Sequence, residues 1–215
     1  MWIFALLVWV SILAVQETRL VFMEITGEHP YIGGFVKFFF LASMGDLLGI
    51  RIRNGEWVIP GCFIYKAFVW GLFGMAITLL FPVYMGGVSA AQQSGYLPFA
   101  GSIIAQAFFG SVIMNVTFGP MLYVYHKFSE LLIDSGYEEP KEKIMVSDLV
   151  DRVDWHTMVS FSWLINCVFI WIPCHTLVFI LPSEYRVLAS AFLSILLGVL
   201  VSFAKKKKIS YREKA

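Results

Sequence analysis

PGCFIYKAFVWGLFGMAITLLFP, residues 60 to 82, contains one charged side chain, Lys66, in a run that is otherwise apolar, aromatic or small. About 20 such residues suffice for a helix to cross roughly 30 Å of hydrocarbon. Backbone polar groups in lipid must be satisfied within the chain, so the stretch reads as a crossing helix. Further runs of the same character lie near 31 to 50, 100 to 125, 157 to 180 and 187 to 204. A shorter one, WIFALLVWVSILAV at 2 to 15, is marginal unless it continues past Gln16, Glu17 and Arg19 to Phe22. No positive charge precedes it and no small-x-small site follows it, which disfavours a cleavable signal.

Composition agrees, since 59% of the 215 residues are apolar and 14% charged. With a mean hydropathy of +0.75, these values belong to a membrane protein. The expected fold is all-α, a polytopic transmembrane helical bundle of five to six spans. Residues 1–28 form the marginal N-terminal apolar segment, 29–204 the bundle and 205–215 a basic C-terminal tail.

Lysine and arginine distribution supplies an orientation. Arg51 and Arg53, then Lys127, Lys141, Lys143 and Arg152, then Lys205 to Lys208 with Arg212 and Lys214 fall on one side of a six-crossing chain. Arg19 and Arg186 fall on the other. By the positive-inside rule both termini face the cytoplasm or an organelle interior. The tail is read as an anchor for anionic lipid headgroups rather than a nucleic-acid site. The acidic loop 127–155 is expected to be a solvated linker ending in a short interfacial helix. Ser147 and Asp148 would start that helix, and Leu149, Val150, Val153 and Trp155 would form its apolar side. A sharper reading makes the loop an acidic mouth that collects cations.

Polar residues inside the runs are the candidate working parts. Centred Lys37 and Asp46 cost roughly 3 kcal/mol each on an insertion scale, whereas the Ile, Leu, Val and Phe residues between Ile32 and Ile50 return about 5 in all. Such a helix needs its polar face turned into a bundle. Lys37 and Asp46 lie on opposite faces, at about 100° per residue, so their partners come from elsewhere: Lys66 and Arg53 are the expected ion-pair partners of Asp46, and Lys37 is a third ion-pair candidate. Gln106, Asn115 and Asn166 sit at mid-membrane depth, where interhelical pairing is the default and a wetted cavity the alternative. Phe118-Gly119-Pro120 and Ile172-Pro173-Cys174 are expected to break their helices. Gly33, Gly34, Gly45, Gly49, Gly71 and Gly74 are expected to permit close helix approach.

HPYIGGFVKFFFLASMGD at 29 to 46, GLFG at 71 to 74, Ala105-Gln106, Asn166 and PSEYRV at 182 to 187 occur in an order and spacing that carry a resemblance. The chain from His29 to Phe203 resembles the family of peroxisomal membrane protein twenty-two and Mpv-seventeen, as a divergent member. Ile50 and Ala105 stand where that family usually has a glutamine and an aspartate, and Trp171-Ile172-Pro173 stands for its tryptophan-proline. The resemblance implies a small integral protein of a mitochondrial inner or peroxisomal membrane, of a kind proposed to form pores or to influence metabolite balance. A bacterial cytoplasmic membrane suits the chain as well. Asp46, Gln106, Asn166, Tyr185 and Arg186 are the residues the resemblance singles out.

Cys167 and Cys174 share a helix face but stand about 10 Å apart along it, too far to hold one metal. His126 and His175 read as packed or interfacial histidines. Zinc, phosphate-loop and nucleophile-elbow patterns are absent from the sequence. No catalytic residue, metal or cofactor is therefore expected, and no enzyme. The expected function is a channel-like or carrier protein for small polar solutes lined by Asp46, Gln106, Asn115, Asn166, Tyr185 and Arg186, in a bilayer and open to homo-oligomer formation. The alternative is a non-conducting structural or lipid-organising protein with Asp46 locked in an ion pair.

Overall fold

A computed structural model describes residues 2–138 and 144–212, with the side chains of 138, 197 and 199–212 excepted. Lys141 and Lys143 of the acidic loop and the side chains of the basic tail therefore lie outside the described residues. Every regular element among the described residues is a helix. In chain order these are α1 (Trp2–Ala14), α2 (Gln16–Glu28), α3 (Pro30–Asn54), α4 (Phe63–Gln93), α5 (Ile103–Glu138), α6 (Val146–Arg152), α7 (Trp155–Ile180) and α8 (Ser183–Arg212). The helices α4, α5 and α7 are long and apolar enough to cross a membrane, and α1 with α2, bent by 92°, would make a fourth if the pair is one span. Among the described residues α3 and α8 do not join that set.

Local chemistry explains the ends. Pro30 opens α3, where its missing N–H costs nothing, and Gly55 closes it in the left-handed region at φ 81°. Asp154 caps α7 by accepting the Thr157 backbone N–H at 3.0 Å. Thr18 and Arg19 turn back to the Ile12 and Leu13 carbonyls at 2.9 and 3.4 Å, answering the open end of α1 at the bend.

Several sequence expectations change. Instead of ending near 125, α5 runs for 36 residues to Glu138. Its charges there are paired rather than solvated singly, and Pro120 sits inside a helix that continues past it. Pro173 falls where α7 changes register, just after a π-helical segment over Met158–Trp171. The short helix α6 forms, but its Leu149 and Val153 are buried and Arg152 donates to the Ser135 hydroxyl of α5 at 2.6 Å. Half of its expected apolar side is thus packed on protein, with Val150 and Trp155 left exposed.

The chain divides into two compact units. One holds Met1–Ile59, Trp70–Leu79 and Val187–Ala215, the other Pro60–Val69 and Leu80–Arg186. In the first, α3 is held by backbone contact. A Cβ on Gly34 would lie 2.7 Å from the Gly74 carbonyl oxygen, and one on Gly74 would overlap the Gly34 carbonyl. A Cβ on Gly45 would lie 2.6 Å from the Ser194 carbonyl oxygen, and one on Gly198 would overlap that of Gly45. In the second unit α5 packs along α7, and Gly110 admits the Met85 thioether.

These contacts set a test. Gly34→Ala and Gly45→Ala should each lower the thermal unfolding midpoint in detergent, by the equivalent of about 1–3 kcal/mol of overpacking. Gly86→Ala, whose Cβ meets nothing within 4 Å, should leave the midpoint unchanged or raise it slightly.

Candidate functional site

In the second unit a stripe on α5, Ser111, Asn115, Gly119 and Tyr123, recurs every fourth residue and so faces one way. Asn115, 2% exposed, donates to the Ser111 carbonyl at 2.8 Å and to its hydroxyl at 3.2 Å. Its Oδ1 lies 3.2 Å from His175 Nδ1 on α7. Ser111 in turn donates to the Ile172 carbonyl at 2.7 Å, the residue ahead of Pro173.

About two turns beyond Asn115, the Tyr123 hydroxyl accepts from Asn166 Nδ2 at 2.6 Å and from Trp171 Nε1 at 2.8 Å. Five residues along an α-helix lie about 140° apart, so both donors would not face one hydroxyl. The i→i+5 register of the π segment widens the turn and brings them to one side. Asn166 is 1% exposed, and its Oδ1 finds no hydrogen-bond partner, nor does Trp163 Nε1.

An aromatic column continues along α7. His175 stacks between Trp171, at 5.0 Å between centroids, and Phe179, at 6.2 Å, with the Phe81 ring edge-on. The guanidinium carbon of Arg186 stands 6.0 Å from the Phe179 centroid, and its Nε donates to the Leu181 carbonyl at 2.9 Å. Burial draws the Arg186 pKa down, Glu184 opposing, yet a guanidinium remains charged at neutral pH. Beside it, the backbone N–H of Tyr185 returns to the Pro182 carbonyl in the first turn of α8. Gln106 reaches the Met85 carbonyl at 3.4 Å.

A charged cluster joins α4 to the extension of α5. Lys66 pairs with Asp134 at 2.7 Å, Glu130 lies 4.0 Å away, and Lys127 holds Glu130 at 2.7 Å. The Cys62 thiol donates to Asp134 at 3.3 Å. Lys66, expected to pair with Asp46, here pairs with Asp134, a carboxylate that the sequence reading assigned to the solvated loop. Lys127, Glu130, Asp134 and Glu138 leave that loop for the helix, so its acidic-mouth reading loses three of its acids.

In the first unit Asp46 accepts the indole N–H of Trp70 at 2.6 Å. Trp70 was not singled out in the sequence, although its donor is what a carboxylate in an apolar setting requires. Lys37, 5% exposed, departs from expectation. It has no carboxylate within ion-pair range among the described residues, and its Nζ sits 5.2 Å from the Phe22 ring centroid. A buried ammonium over an aromatic face is held by the ring quadrupole. Arg53 lies exposed in the last turn of α3.

Asn115 and Asn166 are thus brought to one α5–α7 seam, joined by Ser111, Tyr123, Trp171 and His175, which sequence reasoning left as packing. With His175 neutral the seam carries dipoles and no net charge. All three cysteines are free, and no group able to hold a metal occurs among the described residues. No family model matches the chain, and no curated protein or solved structure matches it either.

Two outcomes are expected in detergent melting. Tyr123→Phe strips the acceptor from two buried donors and should cost about 1–3 kcal/mol, whereas Asn166→Leu, which removes an unpartnered oxygen together with its bond, should cost less. Asp134→Asn should cost about 1 kcal/mol in this half-exposed pair, and Asp134→Asn with Lys66→Met should recover part of that loss.

Proposed function

We propose that this is an integral membrane channel-like or carrier protein that passes small polar solutes, with the α5–α7 seam as the path. The observation that carries the reading is the amide of Asn166, almost wholly buried on a π-helical segment with one oxygen unanswered. Native structures rarely leave such a group without a reason, and π segments recur at functional sites. Because the seam is built of amides, hydroxyls and an imidazole, it suits neutral, hydrogen-bonding solutes better than ions.

The proposal includes five to six spans, with α3, α8 and the α1–α2 pair added to α4, α5 and α7. It places both termini on the cytoplasmic or interior side of a bacterial cytoplasmic, mitochondrial inner or peroxisomal membrane, with the basic tail against anionic headgroups. Membership of the peroxisomal membrane protein twenty-two and Mpv-seventeen family belongs to the same reading and rests on the motif order alone.

The second reading, a non-conducting structural or lipid-organising protein, is favoured by a specific observation. Apart from Asn166 Oδ1, the seam answers its amides and hydroxyls internally, and Lys66 is neutralised by Asp134.

Flux from vesicles containing the purified full-length chain separates the two. Wild type should release a small polyol faster than empty vesicles, Asn166→Leu should slow that release several-fold, and Asp46→Asn should affect it less. If wild type leaks no polyol, anion or cation above empty vesicles across a range of voltages, the conducting reading fails and the structural one stands.

A further inference from the structure

From Ala67 to Tyr125 the chain contains no Asp, Glu, Lys, Arg or His, and the connection between α4 and α5 lies inside that stretch. This loop, 94 to 102, joins two helices each long and apolar enough to cross a membrane. Its tip therefore stands at a bilayer boundary. A loop in water is normally built from charged and polar residues that hydrate well. This one presents Tyr96 at 84% and Phe99 at 71% exposure, and the surface continues into Ile103 and Ile104, 66% and 68% exposed on the first turn of α5.

The exposure of Phe99 is enforced. Its backbone sits at φ 60°, in the left-handed region, which a bulky residue seldom adopts. Such a conformation persists only where its surroundings over-determine it. Gln92, 5% exposed at the end of α4, supplies that constraint by donating from Nε2 to the carbonyls of Pro98 and Phe99, both at 3.1 Å. Gly95 and Gly101, at φ 79° and 85°, turn the chain on either side. A buried amide thus holds a strained loop in the shape that turns an aromatic ring outward.

We propose that loop 94–102 is a membrane-surface anchor. Tyr96 and Phe99 enter the boundary between headgroups and acyl chains, and Gln92 is the clamp that presents them. The bilayer is the occupant because the loop lacks charge, joins two candidate spans and shares a continuous apolar surface with the start of one of them. Aromatic side chains with a polar tip favour that zone, which matches the 84% exposure of Tyr96. The proposal does not depend on whether the protein conducts.

The test uses the full-length chain in phosphatidylcholine vesicles containing a small fraction of phosphatidylcholine with a photoreactive diazirine near the top of one acyl chain. After illumination, lipid adducts should map to residues 96–104 in wild type. Gln92→Ala should reduce those adducts several-fold. Phe99→Gly, which relieves the backbone and so keeps the fold, should reduce them as well. Adducts on α4 and α5 with none on the loop would overturn the anchor, as would cross-linking of the loop to another protein chain in place of lipid. Undiminished labelling of Gln92→Ala would overturn the clamp.

Discussion

The hydroxyl of Tyr123 accepts two hydrogen bonds from α7, and the register of that helix answers to it. In hydrocarbon there is no water to take up a spare donor, and leaving one unmet costs about 1–3 kcal/mol. Asn166 and Trp171 stand five residues apart, a spacing that an α-helix would send to different faces. The π segment over Met158–Trp171 resolves the conflict by altering the backbone instead of the side chains. Pro173 stands just past the end of the segment, and the Ile172 carbonyl beside it accepts the Ser111 and Thr176 hydroxyls, both at 2.7 Å. Polar satisfaction and helix register are thus one problem with one solution.

The same constraint takes a different form around α3. Two of its charged residues have aromatic partners, Asp46 in the indole N–H of Trp70 and Lys37 in the face of Phe22. An indole donor satisfies a carboxylate oxygen without bringing a second full charge out of water. A ring face attracts an ammonium with less desolvation of the partner than a carboxylate would need. Close glycine contacts place α3 near enough to its neighbours for these short reaches to work.

Much of this was legible in the sequence, for reasons that differ from residue to residue. The helices and the apolar cores of α4, α5 and α7 follow from run length and hydropathy, which bilayer thickness fixes. Gly34, Gly45 and Gly74 could be read as contact points because nothing else rationalises glycine within an apolar helix. Asn115 and Asn166 stood out as amides in a dry setting. Their partners did not, since Tyr123, Trp171 and His175 look like ordinary apolar or interfacial residues until the opposing helix is known. The extension of α5 was hidden because Lys127, Glu130 and Asp134 resemble a solvated loop when taken singly, and only pairing with Lys66 across helices reveals them as helical. The π register left no trace in composition, because it arises from a tertiary demand that local propensity cannot encode.

The glycines differ in a way that bears on how this chain can change over generations. At Gly74, as at Gly45 and Gly198, the nearest obstacle to a side chain is a backbone carbonyl of the facing helix, and at Gly34 the Gly74 carbonyl stands beside the Thr78 hydroxyl. No substitution at the partner position removes a carbonyl, so these sites have no compensating route and drift is blocked at each of them separately. Gly71 and Gly110 face the Phe35 ring and the Met85 thioether. There a smaller residue at 35 or 85 would open the space, so change is available in two coupled steps. Among divergent descendants the first group should stay glycine while the second trades places with its neighbours, and the boundary between them marks where main chain touches main chain.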